Sequence, residues 1–194
     1  MKLYLKGVRC ETAKCALEKQ WRSKPPGMHF WRRRRPTEYG KRLREKQKLR
    51  WYYGVLERQF RRFFQEAARS KGSTGERLLV LMERRLDSVL YRLGFSPSRR
   101  AARQLVSHGH VLLNGKITNV PSLKVRVGDE IQIRDRPASR DLVRSWMGED
   151  EGRVVPQWLE ADPTQFRGRV KTLPARDEIS FQVNENLIVE FCSR

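Results

Sequence analysis

Every apolar stripe in this sequence begins after Tyr39, and that limits where a core can form. Before that point the chain is rich in Lys, Arg, Trp, Pro and Gly and shows no apolar periodicity. "KPPGMHFWRRRRP" (Lys24 to Pro36) is punctuated by Pro25, Pro26, Gly27 and Pro36, which mark a loop or extended arm. Alone, such a segment buries too little apolar surface to offset its chain entropy. Residues 1–36 are therefore expected to be a basic arm that orders against a partner.

The partner class follows from charge. The 194 residues carry 42 Lys+Arg against 22 Asp+Glu, a formal net charge of +20. The excess is uneven: 22 of the cations and only 6 of the acids precede Gly72. A polyanion is the natural partner, either nucleic acid or an anionic membrane surface. No apolar run approaches the roughly 18 residues a bilayer span needs. The start, "MKLYLKGVRC", has lysines where a signal peptide needs an unbroken apolar segment. Three cysteines, an odd number, argue against a disulfide framework and for a reducing compartment. The expectation is a cytoplasmic polyanion binder with no membrane contact.

From Thr37 onward the periodicity is helical. Thr37 suits an N-cap, and "KRLREKQKLRWYYG" stops at Gly54. Leu56, Phe60, Phe63, Phe64 and Ala67 then recur at helical spacing, with Arg58, Arg61, Arg62, Gln65 and Arg69 on the remaining surface. Ser73 and Glu76 form a capping-box pattern ahead of a further helix. Its stripe is Leu78, Leu79, Met82, Leu86, Val89, Leu90 and Leu93, read as one helix that stops at Gly94.

The next segment, "SRRAARQLVSHGHVLLNGK" (Ser98 to Lys116), divides cleanly. Ser98 caps a helix that Gly109 ends. At 100° per residue, Ala101, Ala102, Leu105 and Val106 share one arc, while Arg99, Arg100, Arg103, Gln104, Ser107 and His108 share the other. After Gly109, Asn114-Gly115 predicts a hairpin turn with positive φ angles. Val125 and Val127, a turn at Gly128-Asp129, then Ile131 and Ile133 alternate in and out. Two helices followed by a small twisted sheet result. Residues 136–152 read as one short helix with Leu142, Val143, Trp146 and Met147 inward. "ISFQV" and "NLIVEF" read as two alternating strands.

Several residues suggest chemistry. His108 and His110 flank a turn, but no Cys or Asp sits at zinc-like spacing beside them, and a catalytic pair would need a nucleophile and an orienting carboxylate. A helix-ending or RNA-contacting role suits them better. Cys10 and Cys15 form C-x4-C, half of a tetrahedral zinc site. Cys192 lies in an apolar stretch and is expected to be buried. Four adjacent arginines beside Phe30 and Trp31 suit RNA phosphates and splayed bases, because guanidinium is planar, donates in a fork and stacks on rings.

"ERRLDSVLYRLGFSPSRRAARQLVSHGHVLLNGKITNVPSLKVRVGDEIQIRD" (Glu83 to Asp135) resembles the RNA-binding module named after small-subunit ribosomal protein four. "YGKRLREKQKLRWYYGVLERQFRRFFQEA", "GSTGE" and "VNENLIVEFCSR" extend the resemblance to the bacterial ribosomal protein family over nearly the whole chain, in the same order. The resemblance implies an α+β fold. A basic N-terminal arm (1–36) is followed by a helical domain (37–82 with 136–194), into which the two-helix and twisted-sheet module (83–135) is inserted before C-terminal strands. It also implies a non-enzymatic, structural role: primary binding of small-subunit ribosomal RNA in its five-prime domain, nucleation of the subunit body, and contacts with ribosomal proteins five and three and with messenger RNA at the entry pore. The alternative is a free RNA-binding regulator or an operon translational repressor. Enzymes that share the module, pseudouridine synthases and tyrosyl-tRNA synthetases, need a catalytic domain for which this chain has no room.

The RNA contacts expected on this basis are Arg32, Arg33, Arg34 and Arg35 in the arm, of which Arg32, Arg33 and Arg35 fall where the family places basic residues at the pore. Arg42, Arg44, Lys46, Lys48 and Arg50 follow in the first helix, and Arg58, Arg61 and Arg62 in the second. The module contributes Arg99, Arg100, Arg103, Gln104, His108, His110 and Lys116. Family members with zinc carry C-x2-C ahead of a pair like Cys10 and Cys15. "RCETAKC" keeps only the second pair: either half of the site is lost or the true start lies upstream of Met1, and no cofactor is expected for the chain as given.

The helical phase of the module is directly testable. Leu105→Asp would place an unpaired carboxylate on the apolar arc, at a cost of about 3–5 kcal/mol. The variant should lose its cooperative thermal transition, and a melt like that of the parent chain would show the phase to be wrong.

Overall fold

The protein is described by a computed structural model covering residues 2–19, 22, 24, 27–31, 35–149 and 154–193. Three helices lead into the module, α1 (Glu38–Tyr52), α2 (Glu57–Arg69) and α3 (Thr74–Glu83), and α4 (Leu86–Arg92) opens it. Helix α5 (Arg99–Ser107) precedes strands β1 (Val111–Leu113), β2 (Lys116–Thr118) and β3 (Glu130–Ile133). Then come α6 (Pro137–Glu149), β4 (Leu159–Asp162), β5 (Arg167–Val170) and α7 (Glu185–Cys192). The architecture is α+β.

The caps read from the sequence are present. Thr37 Oγ1 accepts from the Gly40 amide at 3.1 Å, and Ser73 Oγ from the Glu76 amide at 3.5 Å. Asn114 and Gly115 hold φ angles of 50° and 76°, as the two-residue turn between β1 and β2 demands. The Asn114 side chain pins that turn to the next one, donating to Asp129 Oδ1 and accepting from the Glu130 amide, both at 2.9 Å.

Two apolar clusters fill the molecule. One joins α1, α2, α3 and the tail through Leu49, Phe60, Phe63, Leu79, Met82 and Ile188. The other joins α4, α5 and the sheet through Leu86, Leu90, Leu105, Val106, Ile131 and Ile133. Residues after 136 are divided between them. Val143, Trp158, Leu159, Phe166 and Val170 enter the module's cluster, whereas Ile179, Phe181, Val183 and Ile188 enter the helical one. Strands β4 and β5 extend the module's sheet to five antiparallel strands in the order β2-β1-β3-β5-β4.

Four local expectations are corrected. The stripe from Leu78 to Leu93 is two helices, because Arg85 is extended at ψ 138° and its neighbours pair with the segment 123–125. That break buries Arg85, which meets Asp87 in a bidentate ion pair at 3.1 and 2.8 Å. "NLIVEF" is helical rather than a strand. Asn184 caps α7, accepting from the Leu187 amide, and Ile188, not Leu187, is the buried residue. Gly75 allows that helix to approach, since a Cβ there would lie 2.5 Å from Glu185 Cβ. "ISFQV" does alternate, with Ile179, Phe181 and Val183 buried, but it pairs with no strand among the described residues. Finally, the N-terminal residues are not wholly an arm: Leu3 packs on the helical cluster and Cys10 and Cys15 are buried. Cys192 is half-buried.

The two clusters meet at a buried carboxylate. Glu83, 1 % exposed, ends α3 and accepts from Tyr53 Oη at 2.7 Å, Arg92 Nη2 at 2.7 Å and Arg99 Nη2 at 3.3 Å. Its other oxygen accepts from Arg92 Nε at 3.1 Å. Burial alone would raise the Glu83 pKa, but the charges of Arg99 and Arg92 outweigh it and hold the carboxyl below its usual range. The contribution is thus fully present above the unfolded value of about 4.3 and is lost as pH falls through the lower folded value. Glu83→Gln should cost about 3–5 kcal/mol at neutral pH, because two largely buried guanidinium groups lose their anion. Urea titrations from pH 5 to pH 3 should show a steeper loss of stability in the parent chain than in the variant. Parallel acid limbs would overturn this account of the joint.

Candidate nucleic-acid interface

Helix α5 is built as its sequence pattern demands, save that Ala101 is only half-buried and that one residue is an outright exception. Ser98 Oγ accepts from the Ala101 amide at 3.2 Å and starts the helix. Ala102, Leu105 and Val106 are buried, and Arg100, Arg103, Gln104 and His108 are exposed. The exception is Arg99, expected on the exposed arc and in fact buried. As the first residue of the helix, its long side chain reaches back across the α3–α4 joint to Glu83. There its guanidinium carbon lies 4.1, 4.8 and 4.5 Å from the ring centroids of Tyr52, Tyr53 and Tyr91. Burial lowers its pKa, but the neighbouring tyrosines and Glu83 more than reverse that, leaving it raised and the group charged. Its work is structural: it holds the start of α5 so that Arg100 and Arg103 point outward.

Those two arginines border a groove of about 270 Å³ between α5, the end of α1 and the N-terminal segment. Trp51, Tyr4 and Arg99 also line it. Among the described residues neither Arg100 nor Arg103 has a carboxylate partner. The only acidic residue in the lining is Asp87, which is already paired with Arg85.

The cations of α1 and α2 fall into two groups. Lys46 is buried and pairs with Glu57 at 2.6 Å, and Arg50 meets the same carboxylate at 3.1 Å. Arg42 pairs with Glu190 at 2.6 Å, and Lys48 with Glu45 at 3.3 Å. Lys46 and Arg50 tie α1 to α2, Arg42 ties it to the tail, and Lys48 pairs within α1 itself, so exposure of Lys46 as a free contact is a further expectation corrected. Arg44, Arg58 and Arg62 are exposed with no carboxylate partner among the described residues, while exposed Arg61 keeps a 3.5 Å contact to Glu57.

Around the hairpin, Lys116 is exposed and His108 follows the last turn of α5. His110 is half-buried, with Nδ1 2.8 Å from Ser139 Oγ in α6. Burial, then the nearby His108, Arg136 and Arg134, lower its pKa. In the arm, Arg35 is exposed, and Arg32, Arg33 and Arg34 lie outside the described residues. Cys10 and Cys15 are buried free thiols, and Cys10 Sγ accepts from the Lys6 amide at 3.3 Å. They supply two of the four donors a structural zinc needs, and no group of three or more His, Cys, Asp or Glu suited to a metal occurs among the described residues. The residues described do not fit a complete zinc site.

Comparison with known proteins shows the family. A family model described as the ribosomal protein S4/S9 N-terminal domain matches residues 1–83, and the S4 domain model matches residues 84–131. The chain is 52% identical over 194 residues to the small ribosomal subunit protein uS4A of Symbiobacterium thermophilum, covering 100% of this chain and 92% of that protein. It is 50% identical over 195 residues to the small ribosomal subunit protein uS4 of Thermus thermophilus, with the same coverage. The chain belongs to the uS4 family of small-subunit ribosomal proteins. This family is structural, not enzymatic. The junction of its two matched regions, 83/84, falls on the break between α3 and α4 where Glu83 sits.

Sequence reasoning missed Glu83, Trp51 and Tyr4. Glu83 had a signal: a carboxylate next to a continuous apolar stripe must find cations when buried. Trp51 had one as well, as a large ring inside the charged run "KLRWYYG". The two roles of the arginines on α5 separate by stability. Arg99→Gln should cost about 1.5–3 kcal/mol, the usual loss of a charged hydrogen bond in a buried site. Arg100→Gln with Arg103→Gln should stay within about 0.5 kcal/mol per substitution. Equal urea midpoints for the two variants would show that Arg99 is not structural.

Proposed function

We propose that this protein is a structural component of the small ribosomal subunit in the cytoplasm, and that α5 with its groove is a principal surface for small-subunit ribosomal RNA. The observation that carries this reading is the unpaired Arg100–Arg103 face, held outward by buried Arg99, in a chain of the uS4 family. A-form RNA hides its base edges in a deep, narrow groove, so recognition rests on shape, phosphate and 2′-hydroxyl contacts. Arg100 and Arg103 provide forked donors for phosphate, Gln104 and His108 continue the row along the helix, and Lys116 follows from the hairpin. Arg44, Arg58 and Arg62 add a second basic face, and the arm from Arg32 to Arg35 supplies reach and counterion release.

The finer role we assign is primary binding to the five-prime domain of that RNA, which nucleates the subunit body. Ribosomal proteins five and three are the protein neighbours in this reading, with the arm beside messenger RNA at the entry pore. The two apolar clusters support it, because the basic faces of α1 and α2 rest on one and that of α5 on the other. A full complement of exposed, unpaired arginines is what a polyanion-binding face requires, and the ion-paired cations of α1 serve the fold instead.

Filter binding to the five-prime domain RNA at two salt concentrations tests this. Arg100→Gln with Arg103→Gln should weaken binding at low salt by roughly 1.5–3 kcal/mol per lost phosphate contact. The slope of log affinity against log salt should flatten by roughly 0.7–0.9 per contact. Binding as tight as that of the parent chain, with an unchanged slope, would show that α5 is not the recognition surface. Stoichiometric sedimentation with small subunits at moderate salt checks the structural role against that of a free regulator.

A further inference from the structure

We propose that the groove beside α5 is a nucleotide site, in which an unpaired RNA base stacks on Trp51 while its phosphate meets Arg100 and Arg103. This rests on the reading of α5 as an RNA surface and names what the groove takes there. Trp51, in the last turn of α1, is 55 % exposed. No ring or cation partner of Trp51 occurs among the described residues, so its π-face is free to stack. Tyr4, 53 % exposed, lines the same groove from the N-terminal segment. It holds φ at 49°, a left-handed conformation unfavourable for a residue with a side chain, and such conformations persist only where the surroundings impose them.

The charge of the groove selects a nucleotide over an apolar peptide or a neutral ligand. Among the described residues Asp87 is its only acidic lining residue, and both of its oxygens are engaged by Arg85. Ser98, Arg99 and Arg100 bring the N-terminal end of α5 into the lining, and the positive end of a helix favours a phosphate. The floor is rigid, because Arg99 is clamped by Glu83 and three tyrosines. A duplex cannot use such a groove, since its bases are stacked on one another. A bulged or single-stranded nucleotide can, because every base has a π-face and aromatic stacking is sequence-tolerant.

The test uses the full chain and two probes, a single-stranded hexa-adenylate and a blunt twelve-base-pair RNA duplex. Trp51→Ala should bind hexa-adenylate about 5- to 150-fold more weakly, the range expected for one lost base–aromatic stack. Its duplex affinity should change less than about twofold, and Trp51→Phe, which keeps a ring, should recover most of the loss. Tyr4→Ala should show a smaller loss in the same direction. Hexa-adenylate should also quench tryptophan emission in the parent chain, and the quenching should be smaller in Trp51→Phe, which keeps Trp31 of the arm. This second readout does not depend on the alanine variant folding. Unchanged hexa-adenylate affinity in Trp51→Ala, equal losses for both probes, or quenching in Trp51→Phe as large as in the parent chain would each overturn the proposal. If the parent chain bound neither probe and not the five-prime domain RNA, the RNA reading of α5 itself would fail. Normal binding to that RNA with any of the three negative results would remove the nucleotide site alone.

Discussion

The arrangement of this molecule depends on one buried anion. Glu83 ends α3 and gathers the tyrosine that follows α1, an arginine from α4 and the first residue of α5. Without it, two guanidinium groups would be left largely buried beside aromatic rings. With it, each hydrogen bond is charge-assisted and every element that reaches the joint is oriented. Arg92 carries the connection further, donating to Ser180 Oγ at 3.2 Å and so tying the tail to the same point. Tyr53 stays a donor because burial, and then the Glu83 carboxylate beside it, push its phenol pKa well above the usual value. A buried pair of this kind adds little net stability over an apolar substitute, but it fixes geometry.

That fixed geometry separates two uses of a positive charge. Lys46, Arg50, Arg92 and Arg99 face carboxylates and hold helices together. Arg100 and Arg103, next to Arg99 in sequence, face solvent. Helical phase does not decide between the roles, since Arg99, Arg100 and Arg103 share one arc; Arg99, as the first residue of α5, reaches back to Glu83 and the tyrosines, and the other two do not. The large net charge is therefore not a uniform coat. Part of it is consumed inside the fold, and the part left unpaired marks the surfaces that can meet a polyanion.

Local pattern determined much of this protein. The caps Thr37, Ser73 and Ser98, the Asn114-Gly115 hairpin, the buried arc of α5 and the outward Arg100 and Arg103 all follow from spacing of a few residues, and all are present. Local pattern also placed Ile179, Phe181 and Val183 inward, since alternation reports burial whether or not a ladder forms. What it could not give was partnership. The tail helix α7 competes with a strand over six residues, and the choice depends on packing against α1 and on the space left by Gly75. The break at Arg85 depends on backbone pairing with residues nearly forty positions away. Strands β4 and β5 are short, and they join the sheet because β3 offers an open edge. Arg99 looked exposed because a helical wheel sees one helix at a time. Its burial needs Glu83 and three tyrosines brought in from other elements, and only the tertiary structure could decide it, because the free energy of burying a charge is set by what surrounds it rather than by its neighbours in sequence.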